Sequence, residues 1–311
     1  MAWVRTLLSR VLEAVAVVLV MASVVFFAMR LLPGDPARLV LGDEAEPAQL
    51  AAIRFKLGLD ASLPVQYARF LKGLATLNWG ESLRHPGEAA ASRVAESLAP
   101  TASLATVAVL MGASGGIALA LLSVGPWLGR RSAWIDRATT AVAATPLLSF
   151  APLLTFALAA RARVVPLPGD PDAGLGGLLF ASALLAVPLG AQVARVSRAS
   201  LGEIAQSQFL SVARAKGATS LRTWVVHALP VAAGPIVTVV ASQLGALLGG
   251  AVVLERLFER PGLGSLILEA YAARDLPVLQ AAIIAAGGFF VGAQVVAALA
   301  HAAIDPRVRR P

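Results

Sequence analysis

The chain has 311 residues, 58% hydrophobic and 14% charged, with a mean hydropathy of +0.76. Soluble globular domains run near a quarter charged, so much of this surface faces something other than water. The absence of cysteine excludes disulfides and cysteine-bound metal, and the formal net charge of +8 comes without any basic, aromatic-interleaved stretch, which directs it to anionic lipid and away from nucleic acid.

A helix needs about 20 apolar residues to cross the hydrocarbon of a bilayer. Six segments qualify: 12–29, a stretch inside 97–129, 138–160, 173–194, 231–254 and 277–300. The last five hold no Asp, Glu, Lys or Arg. The expected fold class is therefore an all-α integral membrane protein of six transmembrane helices, one domain over 1–311. Gly245, Gly249, Gly250, Gly287, Gly288 and Gly292 lie in the last two spans and read as packing residues, since small side chains let helices approach closely in lipid. Arg5 and Arg10 precede the first span, Arg30 and Pro33 follow it, and no small-x-small cleavage site is suitably placed. An uncleaved first helix is expected rather than a signal peptide.

Orientation follows from basic residues in short loops. Arg5 and Arg10, then Arg130, Arg131 and Arg137, then Arg195, Arg198, Arg214, Lys216 and Arg222, then Arg307, Arg309 and Arg310 fall on one side of a six-span chain. That side is expected to be the cytoplasm, with both termini inside. The first outer loop, about 33–99, is long and escapes the rule. Residues 48–57 have helical composition and end at Gly58, while 64–77 are amphipathic through Val65, Tyr67, Phe70, Leu71 and Leu74. Short helices at the outer surface, forming a small cap, are expected.

The most patterned polar segment lies within the loop at about 195–230 and reads AQSQFLSVARAKGATSLRTWVVHALP from Ala205 to Pro230. A helix is expected over 204–216, with Phe209, Leu210, Val212 and Ala213 as an apolar patch. Gly217 suits the left-handed stop of that helix. Thr219 or Ser220 can cap a second helix reaching Leu229, before Pro230 opens the fifth span. Such a helix pair, lying along the cytoplasmic face, serves equally as the dock for a soluble motor or as an amphipathic element resting on headgroups.

These residues carry a resemblance. The run Ala213-Arg214-Ala215-Lys216-Gly217, with Leu229-Pro230 downstream, resembles the "EAA" coupling loop of ABC-importer permeases. The chain looks like the B-type branch of the dipeptide/oligopeptide/nickel permease family over nearly its whole length. Leu31-Leu32-Pro33-Gly34-Asp35-Pro36 closes span 1, and Leu57-Gly58-Leu59-Asp60 and Leu63-Pro64-Val65-Gln66-Tyr67 follow. Asn78-Trp79-Gly80-Glu81-Ser82 resembles the family's D-L-G-x-S segment. Arg260-Pro261-Gly262-Leu263-Gly264 and Ala273-Arg274-Asp275-Leu276-Pro277 precede span 6, and Asp305-Pro306-Arg307-Val308-Arg309 ends the series. The chain departs from the family at Gln208, Phe209 and Ser211, where an Asp-Tyr pair and an Arg are usual. It departs again at Thr145-Pro146-Leu147-Leu148, where an aromatic-containing segment is common.

The resemblance implies a type I ABC-importer permease fold in a bacterial or archaeal cytoplasmic membrane. A homologous second permease would be its partner in the membrane. Two ATPase subunits would dock on Gln208, Phe209, Ala213, Arg214, Ala215, Lys216 and Gly217. An extracytoplasmic substrate-binding protein would dock over the outer cap, with Tyr67, Trp79, Arg260, Pro261 and Gly262. The cargo implied is a di- or oligopeptide, with nickel chelates or other small solutes as the alternative. The chain would be non-catalytic and bind no cofactor, ATP and Mg being used by the ATPase partners. The residues agree: a phosphate loop needs a Gly-Lys pair, and none of Lys56, Lys72 and Lys216 follows a glycine.

Two other classes are weaker. A proton-coupled transporter keeps ionisable relays in mid-membrane, and five spans have none. Gly112-Ala113-Ser114-Gly115 resembles the nucleophile segment of an intramembrane serine protease, with His301 as a partner. The two differ in expected depth by on the order of 15 Å, half a hydrocarbon thickness, too far for a nucleophile and its base. His85 and His227 have no companion ligands in the sequence, so no metal site is expected.

Overall fold

The long apolar runs form helices in the computed structural model, which describes residues 2–31, 35–42, 45–129, 132–170 and 172–304. Leu32, Pro33 and Gly34 of the first motif, Arg130 and Arg131, and the C-terminal motif from Asp305 with Arg307, Arg309 and Arg310 lie outside the described residues, as does the side chain of Arg5. Among the described residues the helices are α1 (Ala2–Leu31), α2 (Pro36–Leu41), α3 (Pro47–Lys56), α4 (Leu63–Ala75), α5 (Ala90–Val124), α6 (Ser132–Ala144), α7 (Leu147–Thr155), α8 (Gly174–Ala205), α9 (Gln208–Ala215), α10 (Ser220–Arg222), α11 (Leu229–Leu257), α12 (Leu263–Ala272) and α13 (Leu276–Ile304). Five helical runs are long and apolar enough to cross a membrane: Leu7–Leu31, Ala90–Val124, Gly174–Ala205, Ser220–Leu257 and Leu276–Ala302.

The third expected span departs from a single straight helix. It is a pair, Ser132–Ala144 and Leu147–Arg161, bent by 106°. The cause is local. Pro146 has no N–H to give and pushes the preceding Thr145 out of helical backbone. Thr145 instead donates its N–H to Val142 O (3.1 Å) and its hydroxyl to Ala141 O (2.9 Å), and Pro146 becomes the N-cap of α7. Beyond α7 the chain widens into a π turn, Phe156–Arg161.

The chain divides into two compact units. The first comprises Met1–Val11, Ala102–Arg260 and Gly292–Pro311. Its hub is α8, half of whose apolar window is buried, whereas the α1 and α13 windows are 11% buried. Leu184, Leu185, Leu189 and Val193 of α8 pack with Leu104 and Ala108 of α5 and with Ile236, Leu247, Ala251 and Leu254 of α11. Glycine makes the α5–α8 approach possible. A Cβ on Gly116 would stand 2.6 Å from Gly190 O, and one on Gly112 would stand 2.8 Å from the Leu189 side chain. Of the glycines singled out in the sequence, Gly250 faces Leu185 and Leu147 in this way, whereas Gly249 and Gly292 have open space where a Cβ would stand.

The second unit comprises Leu12–Thr101 and Pro261–Val291. Both helices expected in the outer loop form, as α3 and α4. The first closes through Gly58 with φ +65°. An aromatic cluster joins α4 to α1: Phe26 lies 5.2 Å from Tyr67 and 5.0 Å from Phe70 between ring centres. Arg30 stacks 3.5 Å over Phe26 and donates its Nε to Gln66 Oε1 at 2.8 Å. A second core gathers Ala90 and Val94 of α5, Leu263, Leu266 and Ala270 of α12, and Val278 and Ala282 of α13. Within this unit, Gly287 of α13 abuts Met21 of α1, and Gly288 has open space.

Candidate functional site

The patterned segment between α8 and α11 differs from the expected helix pair in two respects. Ile204 and Ala205 belong to α8, and the break falls at Gln206 and Ser207, so α9 begins only at Gln208. The second helix is not separate. Ser220–Leu257 is one helical run, with α10 passing through a π turn, Thr223–Ala228, into α11. The π turn sits just before Pro230, whose missing N–H and bulky ring disturb the helical ladder there.

The stop of α9 follows the expected chemistry. Gly217 has φ +87°. Its N–H donates to Arg214 O (2.9 Å), and the Ala218 N–H donates to Ala213 O (3.1 Å). This pair of bonds defines a Schellman stop, which satisfies the last carbonyls of the helix. A Cβ at Gly217 would meet nothing within 4 Å, so glycine is required by backbone conformation and not by space. Thr219, one of the two caps expected, then accepts from the Arg222 N–H at 3.4 Å.

The apolar patch of α9 splits by direction. Leu210 is fully buried, in the same core as Leu201 of α8, Trp224 and Ala228 of the π turn, and Ala232 of α11. Phe209 and Val212 face outward, 43% and 52% exposed. Gln208, Arg214, Ala215, Lys216 and Gly217 are exposed, and Ala213 is half-buried. Arg214 and Lys216 occupy the C-terminal end of α9, where the carbonyl dipoles favour positive charge. A helix with an apolar and basic outer face is thus pinned by one leucine into a core that it shares with two long helices.

The residues expected at the outer cap are built into polar and aromatic contacts. The Tyr67 hydroxyl shares a 2.7 Å hydrogen bond with Ser23 of α1. Trp79 is half-buried, and its indole N–H, fully buried, has no hydrogen-bond partner among the described residues. Arg260 is half-buried in the first unit, and its backbone N–H donates to Glu255 O at 2.8 Å. In the second unit Pro261 is exposed, and the buried Gly262 opens α12 by donating its N–H to Ser265 Oγ at 2.8 Å.

Ser82 and Asp275, which belong to two separate motifs of the sequence, meet in the fold. The buried Asp275 carboxylate accepts from the Ser82 hydroxyl and from the Leu83 N–H (3.1 Å). Arg84 donates to Ala273 O at 2.5 Å and to Val40 O at 3.2 Å, and Arg93 pairs with Glu269 at 2.9 Å. No local signal exists for partners 193 residues apart. At the rim of this region Asp35 caps α2 and holds Arg54 at 2.7 Å. What burial Asp35 has raises its carboxyl pKa, but the hydrogen bonds from Arg54 and Ala37 and the charges of Arg54 and Arg38 outweigh this and hold it below the ordinary value.

Among the described residues, no cluster of three His, Asp or Glu side chains is placed to hold a metal ion. His85 Nδ1 lies 3.1 Å from Arg93 Nη1, and the Ser114 hydroxyl turns back to Leu110 O at 2.5 Å within α5. That bond occupies the hydroxyl proton within its own helix.

Comparison with known proteins adds two findings. Residues 112–310 match the family described as "binding-protein-dependent transport system inner membrane component", and residues 3–107 match the N-terminal family of such membrane components. The chain is 30% identical over 313 residues to "Probable peptide ABC transporter permease protein y4tP" of Sinorhizobium fredii, covering 97% of this chain and 98% of that protein. It is 35% identical over 310 residues, with the same coverage, to "Glutathione transport system permease protein GsiC" of Salmonella paratyphi A.

Proposed function

Since the chain belongs to the family of binding-protein-dependent transport system inner membrane components, as the membrane permease of an ABC transporter, we propose that it forms the pathway by which di- or oligopeptides enter the cell. The peptide cargo is supported by relatives named for peptide and for glutathione transport, glutathione being itself a tripeptide. No observation favours nickel chelates over peptides.

The observation that carries the mechanism is the division of α9 into a buried Leu210 and an exposed Phe209, Val212 and basic tip. Gln208, Phe209, Ala213, Arg214, Ala215, Lys216 and Gly217 are the proposed seat of an ATPase subunit. A homologous permease would supply a second such seat for a second ATPase. On ATP binding, with Mg, the ATPase pair would close and carry each α9 with it, and the shared core would pass that displacement to α8 and α11. Pathway access would thereby alternate. The permease itself would bind no nucleotide and catalyse no reaction.

In this proposal both termini and α9 lie in the cytoplasm, a reading that the basic residues of the short loops support. The region of Tyr67, Trp79, Arg260, Pro261 and Gly262 would then face the substrate-binding protein outside. The test is reconstitution of this permease with its partner permease, ATPases and binding protein in proteoliposomes. ATP-dependent accumulation of a labelled tripeptide is expected. Accumulation of a nickel chelate without any peptide uptake would overturn the cargo assignment.

A further inference from the structure

The first unit holds a cavity of about 390 Å³ between the broken α6–α7 pair, α8 and α11. Its walls are mostly apolar, with Leu147, Leu148, Leu185 and Leu189 prominent. Two neutral amides interrupt them, Gln192 of α8 and Gln243 midway along α11. Thr145 and Pro146, where the third span breaks, line the same cavity.

These features need a common explanation. Gln192 and Gln243 are half-buried and make no side-chain hydrogen bond to the described residues. Gln294 of α13 shows the contrast, since its amide reaches across to Ala241 O at 3.0 Å. An amide left unpaired in hydrocarbon carries the full cost of a lost hydrogen-bonding group. Non-helical backbone at membrane depth is tolerated where it is enclosed by protein or lines a watered cavity. Two unpaired amides and a broken helix on one cavity therefore indicate that polar matter occupies it.

We propose that this cavity is a station on the transport pathway, where Gln192 and Gln243 read the peptide groups of the cargo. The inference rests on the peptide-import reading above. A glutamine amide offers one donor group and one acceptor, as a peptide bond does, and carries no charge. It can therefore hold backbone groups of any peptide while the leucines accept apolar side chains. Neutral hydrogen bonds, weaker than bonds to charged groups, suit a site that must also release its cargo.

The experiment uses the complete reconstituted complex with trialanine as cargo. The double variant Gln192→Leu/Gln243→Leu is expected to lower trialanine uptake per ATP hydrolysed about thirtyfold, the factor that two neutral hydrogen bonds of usual strength supply. ATPase activity stimulated by loaded binding protein should stay within about twofold. Because the chain has no cysteine, Gln243→Cys supplies a second readout that does not depend on the double variant folding. A soluble maleimide is expected to label it during turnover, and excess trialanine to slow that labelling. Unchanged uptake per ATP in an assembled double variant overturns the inference and leaves peptide import standing. A Gln243→Cys thiol that never labels, as when the partner permease covers this face, also overturns it. Failure of the unaltered complex to take up any peptide overturns both the import reading and the inference.

Discussion

The loop around α9 and the region around Asp275 are both small structures attached to long helices, and they are held in opposite ways. α9 has no side-chain cap at its start, one buried leucine, and a backbone stop at Gly217. The Asp275 region is tied by side chains drawn from distant parts of the sequence: Ser82 and Leu83 to Asp275, Arg84 to two carbonyls, Arg93 to Glu269. The first arrangement leaves an outer face exposed and, among the described residues, joins the helix's side chains to its neighbours through packing. The second ties side chains to side chains and backbone within itself and fixes its own shape. A part that transmits a push needs a rigid connection and an unclaimed face, while a part that serves as a platform needs internal bonds.

The contrast can be broken from either side. The largest effect is expected at Asp275→Ala. It removes two hydrogen bonds to a buried carboxylate, and bonds to charged groups contribute about 1.5–3 kcal/mol each. A loss of about 4 kcal/mol is expected in the detergent-solubilised complex, read as a fall in unfolding midpoint and as new protease cleavage between residues 76 and 90. Leu210→Ala comes next, at about 3 kcal/mol, because it empties a fully buried site. Phe209→Ala should leave stability within about 0.5 kcal/mol, since the ring is exposed. It should weaken binding of purified ATPase subunits by about 2 kcal/mol, roughly thirtyfold. Equal affinity in that variant would remove α9 as the docking face.

The smallest effect concerns Asp35 and Arg54. The folded-state carboxyl lies below its ordinary value of 3.8, so its contribution is complete above that pH and is lost as pH falls through the folded value. Arg54 is half exposed, so the pair is worth under about 1 kcal/mol. Arg54→Gln should leave the unfolding midpoint nearly unchanged at pH 7, and the gap to the unaltered protein should vanish once the pH has fallen below the folded-state value of the Asp35 carboxyl.

How much of this was legible in the sequence depends on whether the cause was local. Gly217 was legible because a left-handed stop demands a glycine at that position and nothing else about the fold. Helices α3 and α4 were legible from composition and from the period of Val65, Phe70 and Leu74. The break at Pro146 was hidden, since Thr145 and Pro146 sit in an uncharged apolar run that satisfies a hydropathy count whether straight or bent. The merger of the second coupling helix into α11 was hidden for the converse reason. Its polar residues resemble a surface helix, yet Thr223 and Trp224 are buried. α12 was missed because the charges around it read as loop. The Ser82–Asp275 bond and the convergence of Gln192 with Gln243 belong to tertiary structure, and no window on the sequence contains both partners.

The central claim is that α9 carries force, and Gly217→Val tests it most directly. Valine at φ +87° costs about 1–2 kcal/mol of backbone strain, enough to spoil the α9 stop while Leu210 stays in place. The measurement is peptide uptake per ATP hydrolysed by the reconstituted complex, with subunit composition checked by mass. An assembled complex that hydrolyses ATP while uptake per ATP falls at least about fivefold is the expected result. An unchanged ratio in the assembled variant would contradict the account.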